Sequence, residues 1–545
     1  MQIHHRYHPC PLVPLLIILA AAAGWKILLL TMNAFPFNAD EAVVGLMARH
    51  ILQGERPIFF YGQAYMGSLD AFLVAGGFIL FGQQVWVIRL VQMILYLGLI
   101  ISTIALAGEI FKNWKIGLIA GALLVVPTVN MTLYTTASLG GYGEALLIGN
   151  IILLLALRIA NRDSGPAGLS VGLLWALWGL LAGMGLWANG LTLIYTAPTA
   201  VLLLVQAIRG FHQSGAQKTA IYIGLTIIGF LVGAAPWWIY AFSQGWQSLF
   251  AELFGGAVAV EKEPWLVRSF NHFISFFLLG GTVSIGLRPP WDVRWLAVPL
   301  LPFALIGWAG IFLVSGNGFR KSTGRARTGG FLLMGVAVVL AAGFILTSFG
   351  VDPSGRYFLP LSIPLSIAAA YTINRLDRPV VWKVALFLTL IFYQGWGTLE
   401  SALKNPPGLT TQFNTVTQID TRYQDELIQF LKDEGETRGY TNYWVAYPTA
   451  FLSKEELIFS PQLPYHTDLR YTARDNRYSP YDDILEESVK TAYITTHNPA
   501  LDEKLAQEFQ RIGVSWSEKQ IGDYLVYYRL SRAVRPAELG LGEAP

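Results

Sequence analysis

The chain has 545 residues, of which 54% are hydrophobic and 13% charged, about half the charged fraction of an ordinary soluble protein. A formal charge of +3 is too small to argue for a nucleic-acid partner, and the one cysteine, Cys10, excludes an internal disulfide and any zinc site built on cysteines. The pattern is that of a polytopic membrane protein.

Residues 1–10 form a short tail carrying Arg6, His4, His5 and His8, with no metal-binding spacing. The apolar run that follows mimics a signal peptide, with Ala20 to Gly24 as a small-residue cleavage site, but it continues through Leu30 and reads as an uncleaved first span. Apolar stretches then predict eleven crossings, at 11–32, 86–107, 116–133, 143–157, 169–188, 190–208, 219–240, 295–314, 329–349, 357–373 and 384–399. Loops on one side hold 14 Lys and Arg in 63 residues and those on the other hold 7 in 123, so the first set is cytoplasmic. The outer face then carries two long loops, 33–85 and 241–294. The first contains an amphipathic in-plane helix with Asp40, Val43, Met47 and Ile51 on one side, then an apolar helix at 68–82 too short to cross. Residues 273–287 are read as a short interfacial helix, since fifteen residues are few for a span.

Composition changes after Glu400. Residues 401–545 have no run able to span and read as a separate extracytoplasmic α/β domain, with helices near 423–432 and 501–511 and strands near 440–446, 491–495 and 524–529. The fold class expected is therefore an all-α polytopic membrane domain, 1–400, followed by a small α/β domain.

The sharpest feature is Phe37-Asn38-Ala39-Asp40-Glu41-Ala42, two adjacent carboxylates just outside the first span. Asn38 or Asp40 can cap a helix, and acids suit a helix N-terminus. Neighbouring side chains on a helix point about 100° apart, so one acid can face a site while the other caps or meets water. Glu144, after Leu139-Gly140-Gly141-Tyr142-Gly143, is a second acid at the edge of an apolar run, a placement that needs water or a polar cavity. Lys26, inside the first span, can snorkel or reach a site.

Asn38-Ala39-Asp40-Glu41-Ala42, Ala48 to Glu55, Tyr61-Gly62-Gln63 and Leu69 to Gly82 follow the first span in an order that resembles the first outer loop of GT-C glycosyltransferases. The closest likeness is to the branch of protein O-mannosyltransferases, aminoarabinose transferases and lipopolysaccharide-core transferases. Arg89-Leu90 at the second span and the turn Asp352 to Pro360 agree with it. The resemblance implies a GT-C membrane domain that moves a sugar from a polyprenyl-phosphate donor to a lipid, glycan or protein acceptor with inversion. It implies Asp40 as general base, with Glu41 beside it. Glu144 and Tyr142 are then expected at donor or acceptor, and Arg356 and Tyr357 at the donor phosphate, with Lys262, Arg268 and Arg89 as further cations. Where relatives carry a Glu-Lys-Pro element, this chain has Tyr65-Met66-Gly67-Ser68, so Tyr61, Gln63 and Tyr65 are expected to serve sugar recognition instead. No cofactor is implied, and a divalent ion at Asp40 and Glu144 stays open. A transporter or flippase would place ionisable features near the midplane of internal repeats, which the sequence lacks; an O-antigen-type ligase or polymerase would use the same kind of donor.

Overall fold

The computed structural model describes residues 10–161, 169–213, 215–254, 256, 263–352 and 354–542; the tail histidines and Lys262 lie outside the described residues. Helix α1 (Leu12–Thr31) crosses first, and α2 (Ala39–Gln53) follows in the outer loop. A hairpin of β1 (Phe59–Phe60) and β2 (Gln63–Gly67) turns at Gly62, whose φ of 71° suits glycine. It leads into α3 (Leu69–Phe81) and α4 (Val85–Phe111). The membrane domain continues with α5 (Trp114–Leu123), α6 (Val129–Tyr134), α7 (Tyr142–Ala160), α8 (Leu169–Ala188), α9 (Leu193–Gln213) and α10 (Ala216–Gly233). The second outer loop carries α11 (Ala235–Gln244), α12 (Trp246–Leu253), α13 (Trp265–Ser275) and α14 (Thr282–Ser284). Then come α15 (Leu301–Arg320), α16 (Gly324–Leu346), α17 (Ser362–Arg375) and α18 (Val380–Leu403).

Among the described residues nine helices, not eleven, are long and apolar enough to cross a membrane unbroken. The expected crossing at 116–133 is split into α5 and α6 around Pro127, which has no N–H to donate and disfavours helix at the residue before it. The freed backbone groups find side chains: the Tyr96 hydroxyl donates to the Leu124 carbonyl at 2.5 Å, and the buried Lys26 ammonium donates to the Thr135 carbonyl at 2.5 Å and to Thr136 Oγ1 at 2.7 Å. Lys26 is thus a structural tie, and neither snorkels nor reaches the site. The crossing expected at 357–373 is likewise interrupted, with a 3₁₀ turn at Arg356–Leu361 before α17.

The segment 273–287 starts and ends on one face. Trp265 Nε1 donates to the Leu346 carbonyl at 3.4 Å, and after a widened π-type turn at Phe276–Gly281 the chain returns beside Gly355 and Gln394, where Gln394 donates to the Ile285 carbonyl at 2.9 Å. It does not cross. Helices α8 and α10 approach closely through Gly179, Gly183, Gly229 and Gly233, each facing the partner's backbone, the small-residue spacing that lets membrane helices meet.

The C-terminal domain, called the outer domain after its expected side, has a five-stranded sheet in the order β4-β3-β5-β7-β6, from β3 (Arg438–Tyr440), β4 (Ile458–Ser460), β5 (Ala492–Thr496), β6 (Ser517–Ile521) and β7 (Tyr524–Tyr528). Strand β3 runs parallel to β4 and β5, and β7 antiparallel to β5 and β6. Its helices are α19 (Gln424–Asp433), α20 (Tyr443–Leu452), α21 (Pro480–Glu486) and α22 (Pro499–Arg511). The strand expected at 440–446 stops at Tyr440, because Asn442 caps a helix by accepting from the Trp444 N–H at 3.0 Å.

Helix α20 lies on α2, and Phe451 fills the space left by the missing side chain of Gly45. In consequence α2 is buried nearly all round and is no half-exposed amphipathic helix. This contact puts loop 33–85 and the outer domain on the same side. On the opposite side Arg325 joins three of the basic loops, reaching Glu109 at 2.5 Å and the Asn161 carbonyl at 3.1 Å. We expect a reporter active only outside the cytoplasm to work when fused after Leu530 and to fail after Asn317 or Arg375; the reverse pattern would invert the orientation.

Candidate functional site at the domain junction

Helix α2 starts at Asn38, whose side chain accepts from the Glu41 N–H at 3.0 Å, leaving both neighbouring acids free of capping. The two then part. Glu41 is fully buried and takes a two-point contact from Arg89, with Nε and Nη2 each 2.9 Å from a carboxylate oxygen. Arg89 also donates to the Phe35 carbonyl at 3.2 Å. Glu41 therefore holds the start of α2 against α4, and Arg89 is spoken for.

Asp40, half-buried, faces the other way, into a cleft roofed by the outer domain. The Tyr443 hydroxyl at the start of α20 donates to Asp40 Oδ1 at 2.5 Å. The Arg477 guanidinium lies over the Tyr443 ring at 5.3 Å. With its amide oxygen turned inward, Gln63 accepts from Arg477 Nη1 and Nη2 at 2.7 Å each. Burial works against the charge of Arg477, but Tyr443, Asp40 and Asp475 outweigh it and raise its pKa, so it stays protonated. Burial also pushes the Asp475 carboxyl up from 3.8 to about 7, although Arg477 draws it down.

Tyr65, on β2, is buried between two groups of charges. Arg477 and Asp40 lie within electrostatic reach on one hand and Arg356 and Asp352 on the other; burial keeps its phenol above the usual value although both arginines draw it down. Arg356 Nε is 2.5 Å from Asp352 Oδ2 and its guanidinium faces the Tyr357 ring at 5.0 Å. Tyr65, Tyr142 and Tyr357 form the polar end of a cavity of about 400 Å³ whose walls are apolar, from Leu191 and Ile194 of the α9 region, Leu253 and Phe254, and Val339 to Leu346 of α16. The structure thus brings Asp40, Gln63, Tyr65, Tyr142, Arg356 and Tyr357 to one region.

Other expected residues lie elsewhere. Glu144 is buried at the start of α7 beside Asp70, whose carboxylate accepts from Gln92 at 2.9 Å and from the Ser138 hydroxyl. Asp70 braces loop 138–141, accepting also from the Gly141 N–H at 3.4 Å. Tyr61 donates to Glu55 at 2.7 Å and meets His50 at 2.9 Å, in a network with the outer domain, not in the cleft. Arg268 is half-buried on α13. Among the described residues no group of three or more His, Cys, Asp and Glu could hold a metal ion. Sequence reasoning missed Tyr443, Asp475 and Arg477. One signal was present: the stretch between β4 and α21 is long, without regular structure and dense in Tyr and Arg, as functional loops often are.

A buried-acid helix over a membrane domain, an Arg-Tyr turn entering a late crossing and a C-terminal α/β domain together make up a fold that this chain shares with solved membrane-protein structures. No protein-family model and no curated protein matches the sequence. Among solved structures, ArnT from Cupriavidus metallidurans bound to undecaprenyl phosphate is similar, with a TM-score of 0.58 and 13% identity over 94% of this chain and 97% of that one. The apo state of the same ArnT gives 0.55 and 13% over 93% and 98%.

Arg89→Ala would leave Glu41 charged and buried without a partner, which should cost about 3 kcal/mol; the loss should appear in thermal unfolding, and Asp40→Asn should show no comparable loss. Asp475 yields a second expectation. Its folded pKa of about 7 lies above the 3.8 of an ordinary carboxyl, so between those values the folded state holds a proton that the unfolded chain has released. Ionisation above pH 7 then opposes the fold. Asp475→Asn should therefore raise the melting temperature at pH 8 and change it little at pH 4; equal shifts at both would contradict this.

Proposed function

We propose that this chain is an inverting glycosyltransferase that takes a sugar from a polyprenyl-phosphate carrier and passes it to a hydroxyl or similar group on the extracytoplasmic side. The observation that carries the reading is the apolar cavity of about 400 Å³ that ends at Tyr65, Tyr142 and Tyr357. Its polar end adjoins Arg356, and Asp40 lies within electrostatic reach of the same Tyr65. An isoprenoid tail suits such walls, and a phosphate suits a guanidinium that can offer parallel N–H donors. A protein of the same fold, ArnT, has been crystallised with undecaprenyl phosphate, which favours this class of donor. Transfer from a nucleotide sugar would need a water-facing site on the cytoplasmic side, where the loops are short.

In this reading the acceptor hydroxyl gives its proton to Asp40 as its oxygen bonds to C1 of the sugar. The C1–O bond to the phosphate breaks, and its electron pair stays on the phosphate oxygen. The leaving phosphate gains one negative charge, which Arg356 can meet by exchanging part of its contact with Asp352. Tyr65 and Gln63 line the path of the sugar between Arg356 and Asp40. Loss of a general base typically lowers the rate by about 10²-fold or more. We expect that for Asp40→Asn with the purified protein and a polyprenyl-phosphate sugar, and a milder loss for Glu41→Gln. Arg356→Ala should raise the donor KM more than the acceptor KM. Robust transfer from the matching nucleotide sugar without lipid, or wild-type turnover by Asp40→Asn, would overturn the proposal.

A further inference from the structure

Besides α20, the C-terminal domain reaches the site through one short stretch, whose contacts fall on the second long loop, the hairpin and the end of α2. Arg474 makes a two-point contact with Glu252 in the second outer loop, at 2.7 and 3.1 Å. Arg477 takes both its Nη groups to Gln63 on the hairpin, and the turn at Gly62 leaves it room, since a Cβ there would stand 3.0 Å from Arg477 Cδ. Tyr478 donates to Glu55 at 2.7 Å and stacks on Tyr61 at 4.9 Å. Behind it, Glu455 receives His50 at 2.9 Å, Tyr481 at 2.9 Å and Arg49 at 3.2 Å, so the helix that carries Tyr443 is tied to α2 at its other end as well. A linker between independent domains needs none of these contacts.

We propose that residues 474–478 are a strap that makes the outer domain a working half of the site, with Tyr443 and Arg477 as positioning residues that act through Asp40. The Tyr443 hydroxyl occupies Asp40 Oδ1 and fixes the carboxylate so that Oδ2 is the oxygen presented to an incoming hydroxyl. Arg477 lies over the Tyr443 ring at 5.3 Å and its backbone N–H donates to the Tyr447 hydroxyl at 2.6 Å, so the strap holds the start of α20 against Asp40. Neither residue needs to touch substrate. The strap acts by holding both in register with a base that lies more than four hundred residues earlier in the chain.

The inference rests on the transferase reading, and its tests separate the two. Charge reversal at the strap's far anchor comes first, in the full-length protein in nanodiscs. Arg474→Glu and Glu252→Arg should each expose the backbone amides of 474–478 to hydrogen exchange and lower turnover of a polyprenyl-phosphate sugar about tenfold, and the double variant should restore both. Exchange needs no substrate, so it judges the strap even if the donor assignment is wrong. Single variants with wild-type protection and turnover would overturn the strap. Tyr443→Phe then asks whether positioning runs through Asp40. The kcat should fall about tenfold while the donor KM, and binding of undecaprenyl phosphate in native mass spectrometry, stay unchanged. A Tyr443→Phe protein with a wild-type kcat overturns the positioning role, whereas wild-type turnover in Asp40→Asn overturns the transferase reading itself.

Discussion

The ion pair between Glu41 and Arg89 is the interaction on which the arrangement of the site depends. Two carboxylates in succession at a helix start repel each other and compete for the same free N–H groups; here one is removed from the contest. Arg89 holds Glu41 by two parallel bonds in full burial, and Asn38 supplies the cap. That fixes the rotation of α2 about its axis, and with it the direction of Asp40, about 100° away. The contacts of Arg49 and His50 with Glu455 hold the other end of the helix, so the same rotation that buries Glu41 brings Asp40 to Tyr443.

The same logic operates in the membrane. Broken helices expose carbonyls that hydrocarbon cannot satisfy, and the chain meets each break with a side chain from another crossing: Tyr96 of α4 at Leu124 and Lys26 of α1 at Thr135. Lys26 adds a contact with the Tyr96 ring at 4.2 Å, so the two satisfiers are themselves joined. These ties set the height of α6, and α6 in turn meets the Arg356 turn, where the Asn130 amide donates to the Gly355 carbonyl at 3.0 Å. A lysine that reads as a functional residue within a span is therefore part of the frame that carries the Arg356 turn.

Much of this was legible in the sequence. The alternation of apolar runs and basic loops foretold which segments share a side, and the flanks of the acid pair marked the segment that meets the C-terminal domain at the cleft. What the sequence hid has three physical sources. Hydropathy averaged over a window cannot see the break at Pro127, because apolar residues flank it on both sides. Two adjacent acids cannot be told apart without knowing where Arg89 comes to rest, a matter of how α4 packs. Tyr443 meets Asp40 from 403 residues away, and nothing local in either segment announces the other. The dense Tyr and Arg content of 465–481 was the one available sign that the outer domain does more than cover the membrane part. The burial of Glu144 beside Asp70 was equally hidden, because it depends on how α3 packs against α7.

The charges in the cleft explain why the site is stable without a substrate and still able to respond to one. A lone arginine or aspartate in so dry a place would be strongly disfavoured, and the protein avoids that by pairing Asp352 with Arg356 and by keeping Arg477 within electrostatic reach of Asp40 and Asp475. In the proposed transfer, a phosphate arriving from the cavity competes with Asp352 for Arg356. A proton moving onto Asp40 then removes a negative charge near Arg477 while the phosphate gains one, so the two changes offset each other across the cleft without a side chain having to travel.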